Sequence, residues 1–195
     1  MPKLLITGFD PFGGENINPA WEAVSRLSDV IGEWTLDKLQ IPTVFGEASR
    51  RVLARAEEIH PDAIICVGQA GGRKAVTPEM VGINLRHASI ADNIGQRPLD
   101  EPVVPGGPAA YFTTLPVRAM VSAISAKGLP ASVSYSAGAF VCNDTLYALL
   151  HHYDGTVVRA GFIHVPFLPQ QAKGGEPSMP LEEIVQALEA AIGTL

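Results

Sequence analysis

Two cysteines stand in the chain, in different surroundings. Cys142 lies in SAGAFVCND, where Ala137-Gly138 closes a strand-like run and Asn143-Asp144 opens a helix-like one. A thiol at a helix N-terminus is drawn toward thiolate by N–H groups that lack intrahelical partners. The same groups suit an oxyanion hole for acyl transfer. The competing reading is a small buried hydrophobe, the usual role of free cysteine. Cys66 sits mid-strand in AIICVG and reads as inert packing.

A nucleophilic thiol needs a base, and the chain has five histidines. His60 precedes Pro61 at a helix end, which suits a cap. His151 and His152 close the helix that Cys142 opens, about 15 Å away along its axis. His87 ends a strand and stays open as a candidate. His164 interrupts the apolar run GFIHVPFLP just before Pro166. It is a satisfied core residue unless Cys142 reacts, and then it is the preferred base. A third group must orient the imidazole. Asp10, Glu79, Asp92, Asn93 and Asn143 are the loop acids and amides open to that role. Phe9 just before the loop DPFGG and Phe12 within it either stack on a flat ligand or anchor the loop in the core.

These residues fall in loops between alternating strand-like and helix-like segments, the pattern of an α/β layered fold. Strands are expected at Lys3–Thr7, Trp34–Ile41, Ala63–Val67, Met80–Arg86, Ser132–Tyr135 and Thr156–Val165. Helices are expected from Pro19 to Leu27 behind an Asn18 cap, Thr43 to Ile59, Val117 to Lys127, Cys142 to His151, and Pro180 to Ile192 with Ser178 as cap. The loops at 8–14, 68–79 and 136–142 then gather beyond strand ends, where open α/β sheets carry their sites. The Pro- and Gly-rich stretch from Ala88 to Leu115 is too long to be a plain connection. Its part Pro102–Pro116 reads as a subunit contact or a lid.

The 195 residues carry 47% hydrophobic and 17% charged side chains, with 19 glycines and 16 prolines. This balance excludes disorder, and the length fits a single domain, 1–195. A net charge of −6 argues against nucleic acid or an anionic membrane as partner. Two cysteines exclude a disulfide scaffold and a Cys-rich zinc site, and reduced thiols fit the cytoplasm. No apolar run reaches a signal-peptide core or a membrane span. VGQAGGR at 67–73 lacks the spacings of nucleotide loops, so a flavodoxin-like nucleotide binder is a weak alternative.

Taken together, the segments resemble the pyroglutamyl peptidase I (pyrrolidone-carboxylate peptidase) family of cysteine exopeptidases. The matching pieces are ITGFDPFGG at 6–14 with Asn18-Pro19, VGQAGGR at 67–73, and TPE at 77–79 with GIN at 82–84. AGAFVCN at 137–143 and GFIHVPFLPQQ at 161–171 complete the set. The resemblance implies Cys142 as nucleophile, His164 as general base and Glu79 as the acid that orients it. It also implies Phe9 and Phe12 around the pyroglutamyl ring, with Gln69 close to that pocket.

A three-layer α/β/α sandwich around a mostly parallel mixed sheet is implied too, with no metal or cofactor. The implied protein is cytoplasmic, a homotetramer, and acts on peptides with N-terminal pyroglutamate. Three positions depart from the family pattern. Ser89 and Ala91 replace the arginine and proline of A-R-I-P-D-N, and Met80 follows Glu79 where arginine is common. Arg86, three positions before Ser89, is the cation considered as a replacement. The alternative is a catalytically weakened module that binds blocked peptide N-termini; the missing arginine is its only support, and the intact Cys142, His164 and Glu79 set argues against it.

Overall fold

The computed structural model describes residues 1–195. Its first strand, β1 (Lys3–Phe9), is buried from Leu4 onward and forms the middle of the sheet. It pairs in parallel with β3 (Trp34–Ile41) on one side and with β4 (Ala63–Gln69) on the other. A two-residue β2 (Val30–Ile31) lies antiparallel at the β3 edge. Beyond β4 comes β8 (Arg159–Val165), also parallel, and then the short antiparallel β5 (Thr77–Pro78). The sheet order is β2-β3-β1-β4-β8-β5. A separate hairpin joins β6 (Val81–Ile83) to β7 (Ala110–Phe112).

Alternation along the strands divides the core in two. Leu4, Ile6, Ile65, Val67, Ile163 and Val165 face α1 (Pro19–Arg26), α3 (Val117–Ala126) and α5 (Leu181–Ile192). Leu5, Ile64, Cys66, Ala160 and Phe162 face α2 (Glu47–Ile59) and α4 (Val141–His152). The result is the three-layer α/β/α sandwich around a mostly parallel sheet. Asn18 caps α1 as expected, its Oδ1 accepting from the Ala20 N–H at 3.0 Å. His60 closes α2 in the left-handed conformation, φ 51°.

Four expected elements differ. α2 begins at Glu47 rather than Thr43, because Gly46 takes φ 71° and Asp10 holds the Thr43 N–H. The run Met80–Arg86 is not one strand: Glu79 and Met80 separate β5 from β6. Residues 132–135 lie beside β5 by isolated bridges only. Pro180, not Ser178, caps α5, and Ser178 bridges Phe167 instead.

Candidate active site

The C-terminal ends of β1, β4 and β8 and the N-terminus of α4 meet on the α2/α4 face. Gly68 stands opposite His164 in the β4–β8 ladder. A Cβ on Gly68 would lie 2.9 Å from Cys142 Sγ and 2.7 Å from the Phe162 ring. Glycine at 68 therefore makes the room that the thiol occupies over β4, across the ladder from His164. Gly68→Ala should lower kcat/KM by about 10-fold or more by pushing Sγ off line, since small misplacements carry such losses. An unchanged rate for the folded variant would show that Sγ tolerates displacement.

His164 is buried, and its Nδ1–H donates to Glu79 Oε1 at 2.7 Å. That bond leaves Nε2 as the acceptor nitrogen. The other candidates for the third position are engaged elsewhere. Asp10 accepts from the Thr43 N–H and from Asn93 Nδ2. Asp92 accepts from the N–H groups of Phe45, Ile94 and Gln96. Asn143 exchanges hydrogen bonds with the Ile83 backbone and donates to the Leu85 carbonyl. Of the other histidines, His87 pairs with Asp100 at the surface and His151 with the Tyr111 hydroxyl.

Sequence reasoning missed Arg73. Its guanidinium donates to Glu79 Oε1 at 2.7 Å, to Thr77 Oγ1 at 2.6 Å and to the Ser136 carbonyl at 3.0 Å. One fully buried carboxylate oxygen thus serves both the imidazole and a cation, while Glu79 Oε2 has no partner. Arg73 was visible only as the last letter of the glycine loop, a place with no helical or strand register to predict its direction.

Charge balance sets the resting protonation. Burial lowers the His164 pKa below its usual 6.5, and the neighbouring Glu79 acts the other way. Burial opposes ionisation of Glu79 most strongly, yet its bond to His164 and the added cation leave its pKa below 4.5. Burial, then the Glu79 charge, pushes the Cys142 thiol up to about 12. Burial thus opposes the pull toward thiolate expected at a helix N-terminus and favours a thiol and a neutral imidazole at rest. The partial charges at the N-terminus of α4 do not outweigh desolvation. Cys66, fully buried, is also pushed up to about 12. In the substrate-free protein, alkylation of Cys142 by iodoacetamide should keep accelerating above pH 9. A rate that levels off near pH 6 would reveal a resting thiolate–imidazolium pair.

Helix α4 has Phe140 as its cap and no side-chain hydrogen bond capping its N-terminus. Its first backbone bond runs from the Asp144 N–H to the Phe140 carbonyl, so the N–H groups of Val141, Cys142 and Asn143 have no protein acceptor. They are open donors at the start of the helix that carries the thiol, the kind of group an oxyanion hole requires.

Of the two phenylalanines expected around the ligand, Phe9 is the more buried. Phe9 is 1% exposed and packs on Phe162 with centroids 6.1 Å apart, so it lies beneath the site. Phe12 and Phe140, both half-buried, lie 6.1 Å apart with rings tilted by 35°, and Phe45 stands edge-on to Phe140. Phe12 rides a loop tied down by Asn18 Nδ2 on the Asp10 carbonyl and Asn93 Nδ2 on the Pro11 carbonyl. Gln69 follows Val67 in the alternation toward the α1/α5 face, where its Oε1 accepts from Gln171 Nε2 at 2.9 Å. Arg86 does not take the place of the family arginine, because its Nε is ion-paired with the buried Asp144 on α4. The guanidinium that reaches Ser89 is that of Arg97, on the Ala88 and Ser89 carbonyls.

A cysteine at an open helix N-terminus, beside a histidine held by a buried glutamate, is the constellation of a thiol hydrolase on an α/β/α sandwich. The chain belongs to the pyroglutamyl peptidase family, whose pattern matches residues 2–195. It is 50% identical over 198 residues to a pyrrolidone-carboxylate peptidase of Escherichia fergusonii, covering 100% of this chain and 92% of that protein. A pyrrolidone-carboxylate peptidase of Bacillus cereus is likewise 50% identical, over 98% of this chain and 92% of the relative. The crystal structure of Bacillus amyloliquefaciens pyroglutamyl peptidase I superposes with TM-score 0.96 at 46% identity, covering 100% of this chain and 96% of that one. A mutant pyrrolidone carboxyl peptidase of Pyrococcus furiosus gives TM-score 0.93 at 41% identity, over 98% and 97% of the two chains.

Proposed function

We propose that the pyroglutamyl-peptide hydrolysis of this family is carried out here by Cys142, His164 and Glu79. One observation carries the reading: Cys142 Sγ sits against Gly68, the register partner of a His164 whose other nitrogen is held by buried Glu79. The neutral imidazole takes the thiol proton as sulfur attacks the pyroglutamyl carbonyl. The N–H groups opening α4 receive the oxyanion. His164 then protonates the leaving amine and activates water to release pyroglutamate from the acyl-enzyme. Glu79 holds the tautomer and supports the transient imidazolium.

A pyroglutamyl residue is a flat neutral lactam without an N-terminal ammonium, and the mouth of the site is aromatic. A ring stacked between Phe12 and Phe140 needs them about 7 Å apart, two van der Waals distances. Ligand entry therefore spreads the pair slightly, with Phe9 as floor and the unpaired N–H groups of α4 at the rim. A proline ring lacks the lactam oxygen and leaves the polar rim unpaired.

The whole chain, 1–195, acts as one catalytic unit in this proposal. Reduced, unpaired cysteines fit a cytoplasmic setting, and no helix is long and apolar enough to cross a membrane. Phe112, 75% exposed on the β6–β7 hairpin, supports a subunit contact, in line with a homotetramer. The deciding assay is release of pyroglutamate from a pyroglutamyl anilide with thiol reductant present, beside a prolyl anilide. Binding of the lactam without turnover would favour the non-catalytic module instead.

A further inference from the structure

The strand order gives the site a direction. Phe12 and Phe140 lie near the ends of β1 and α4, the thiol over β4, the base on β8 and the orienting acid just after β5. A peptide whose pyroglutamyl ring sits at the aromatic end must leave past His164, toward β5 and what lies beyond it.

Beyond β5 the sheet ends in residues 131–135. Ser132 and Ser134 turn their N–H groups inward, to the Val76 and Pro78 carbonyls, and Ser134 accepts from the Met80 N–H. The N–H and C=O groups of Val133 and Tyr135 point the other way and meet no protein partner. The segment ASVSY holds no charge and no proline, the devices that normally blunt a free sheet edge. A cleft of about 630 Å³ lies between residues 72–77 and this segment, lined among others by Arg73, Lys74, Thr77, Ser132, Ser134 and Ser136. It is continuous with the catalytic network, because Arg73 links Glu79 to the Ser136 carbonyl and Ser136 leads directly into the Cys142 segment.

We propose that this edge binds the main chain of the substrate beyond the scissile bond, as an added β-strand. The inference rests on the proposed hydrolytic reading and extends it to the leaving peptide. Two strand spacings separate β8 from the edge, about 10 Å, which an extended chain crosses in about three residues. Short leaving groups do not reach it, and longer peptides do. Recognition through main-chain groups sets preference by length rather than by side chain.

The test uses one scissile bond and varies the tail: pyroglutamyl-alanine amide, then the same peptide extended to four alanines. kcat/KM should rise about tenfold along the series, two main-chain hydrogen bonds' worth. Tyr135→Pro removes an outward N–H from an exposed residue and should flatten the series while leaving the shortest substrate unchanged. N-methylation of single tail amides, tested on the unaltered protein, should depress cleavage at alternate positions. A flat series in the unaltered protein, or equal sensitivity at every amide, overturns the proposal. So does a Tyr135→Pro protein that changes oligomeric size with its length dependence intact, since the edge is then a subunit contact. Failure to cleave even the shortest member would instead defeat the hydrolytic reading itself.

Discussion

Cys142→Ala is expected to release no measurable pyroglutamate, a fall in kcat/KM of about 10⁴-fold or more, the scale of losing a nucleophile. The fold should survive, because Cys142 is only partly buried and alanine is at home in the first turn of α4. Thermal unfolding of the variant should therefore match the parent within a few degrees. Cys66→Ala is the control. That sulfur is fully buried on β4 opposite Thr7, so its loss should cost stability through a small cavity while activity persists. Full activity in Cys142→Ala, or loss of activity in a folded Cys66→Ala, would reassign the nucleophile.

The second large effect concerns the two partners of one carboxylate oxygen. Glu79→Gln keeps an acceptor for the His164 Nδ1–H but removes the negative charge, and should lower kcat/KM by about 10²-fold. Arg73→Met removes the cation instead. The signs of their pH effects are opposite. Glu79 raises the His164 pKa and Arg73 lowers it. The acid limb of the kcat/KM profile should therefore move to lower pH in Glu79→Gln and to higher pH in Arg73→Met. In the parent it lies below 6.5, because burial already depresses the imidazole. Arg73 acts through Glu79, so a profile in which only the plateau falls, with no movement of the limb, would reduce it to a structural strut.

The same groups link folding to pH. A His164 pKa lowered by folding means that the unfolded chain binds more protons in the window below 6.5, so stability rises with pH there. Glu79, lowered below 4.5, contributes stability above that value which disappears as pH falls through its folded pKa. Both act in one direction, toward acid sensitivity.

Much of the site was legible because it rests on local chemistry. Cys142 stands where a strand-like run meets a helix start, and His164 interrupts an apolar strand; both patterns are short-range. Asn18-Pro19 announced α1 for the same reason, since a cap and a first-turn proline need only neighbours. Glu79 was one of five loop candidates until the family resemblance singled it out, because nothing local to it points to a residue 85 positions away.

The rest depended on which strand lies beside which. The antiparallel insertion of β5 against β8 brings Glu79 under His164 and draws Arg73 with it. The same register turns Gln69 toward Gln171, buries Phe9 and leaves Phe140 opposite Phe12. Arg86 was drawn to Asp144 because a buried carboxylate on α4 requires a partner. The sequence by itself determined the α/β alternation and the segments on which the proposed reacting groups lie. Only the tertiary structure decided their protonation and their outer partners, because desolvation and hydrogen-bond direction are properties of the packed neighbourhood and not of any one segment.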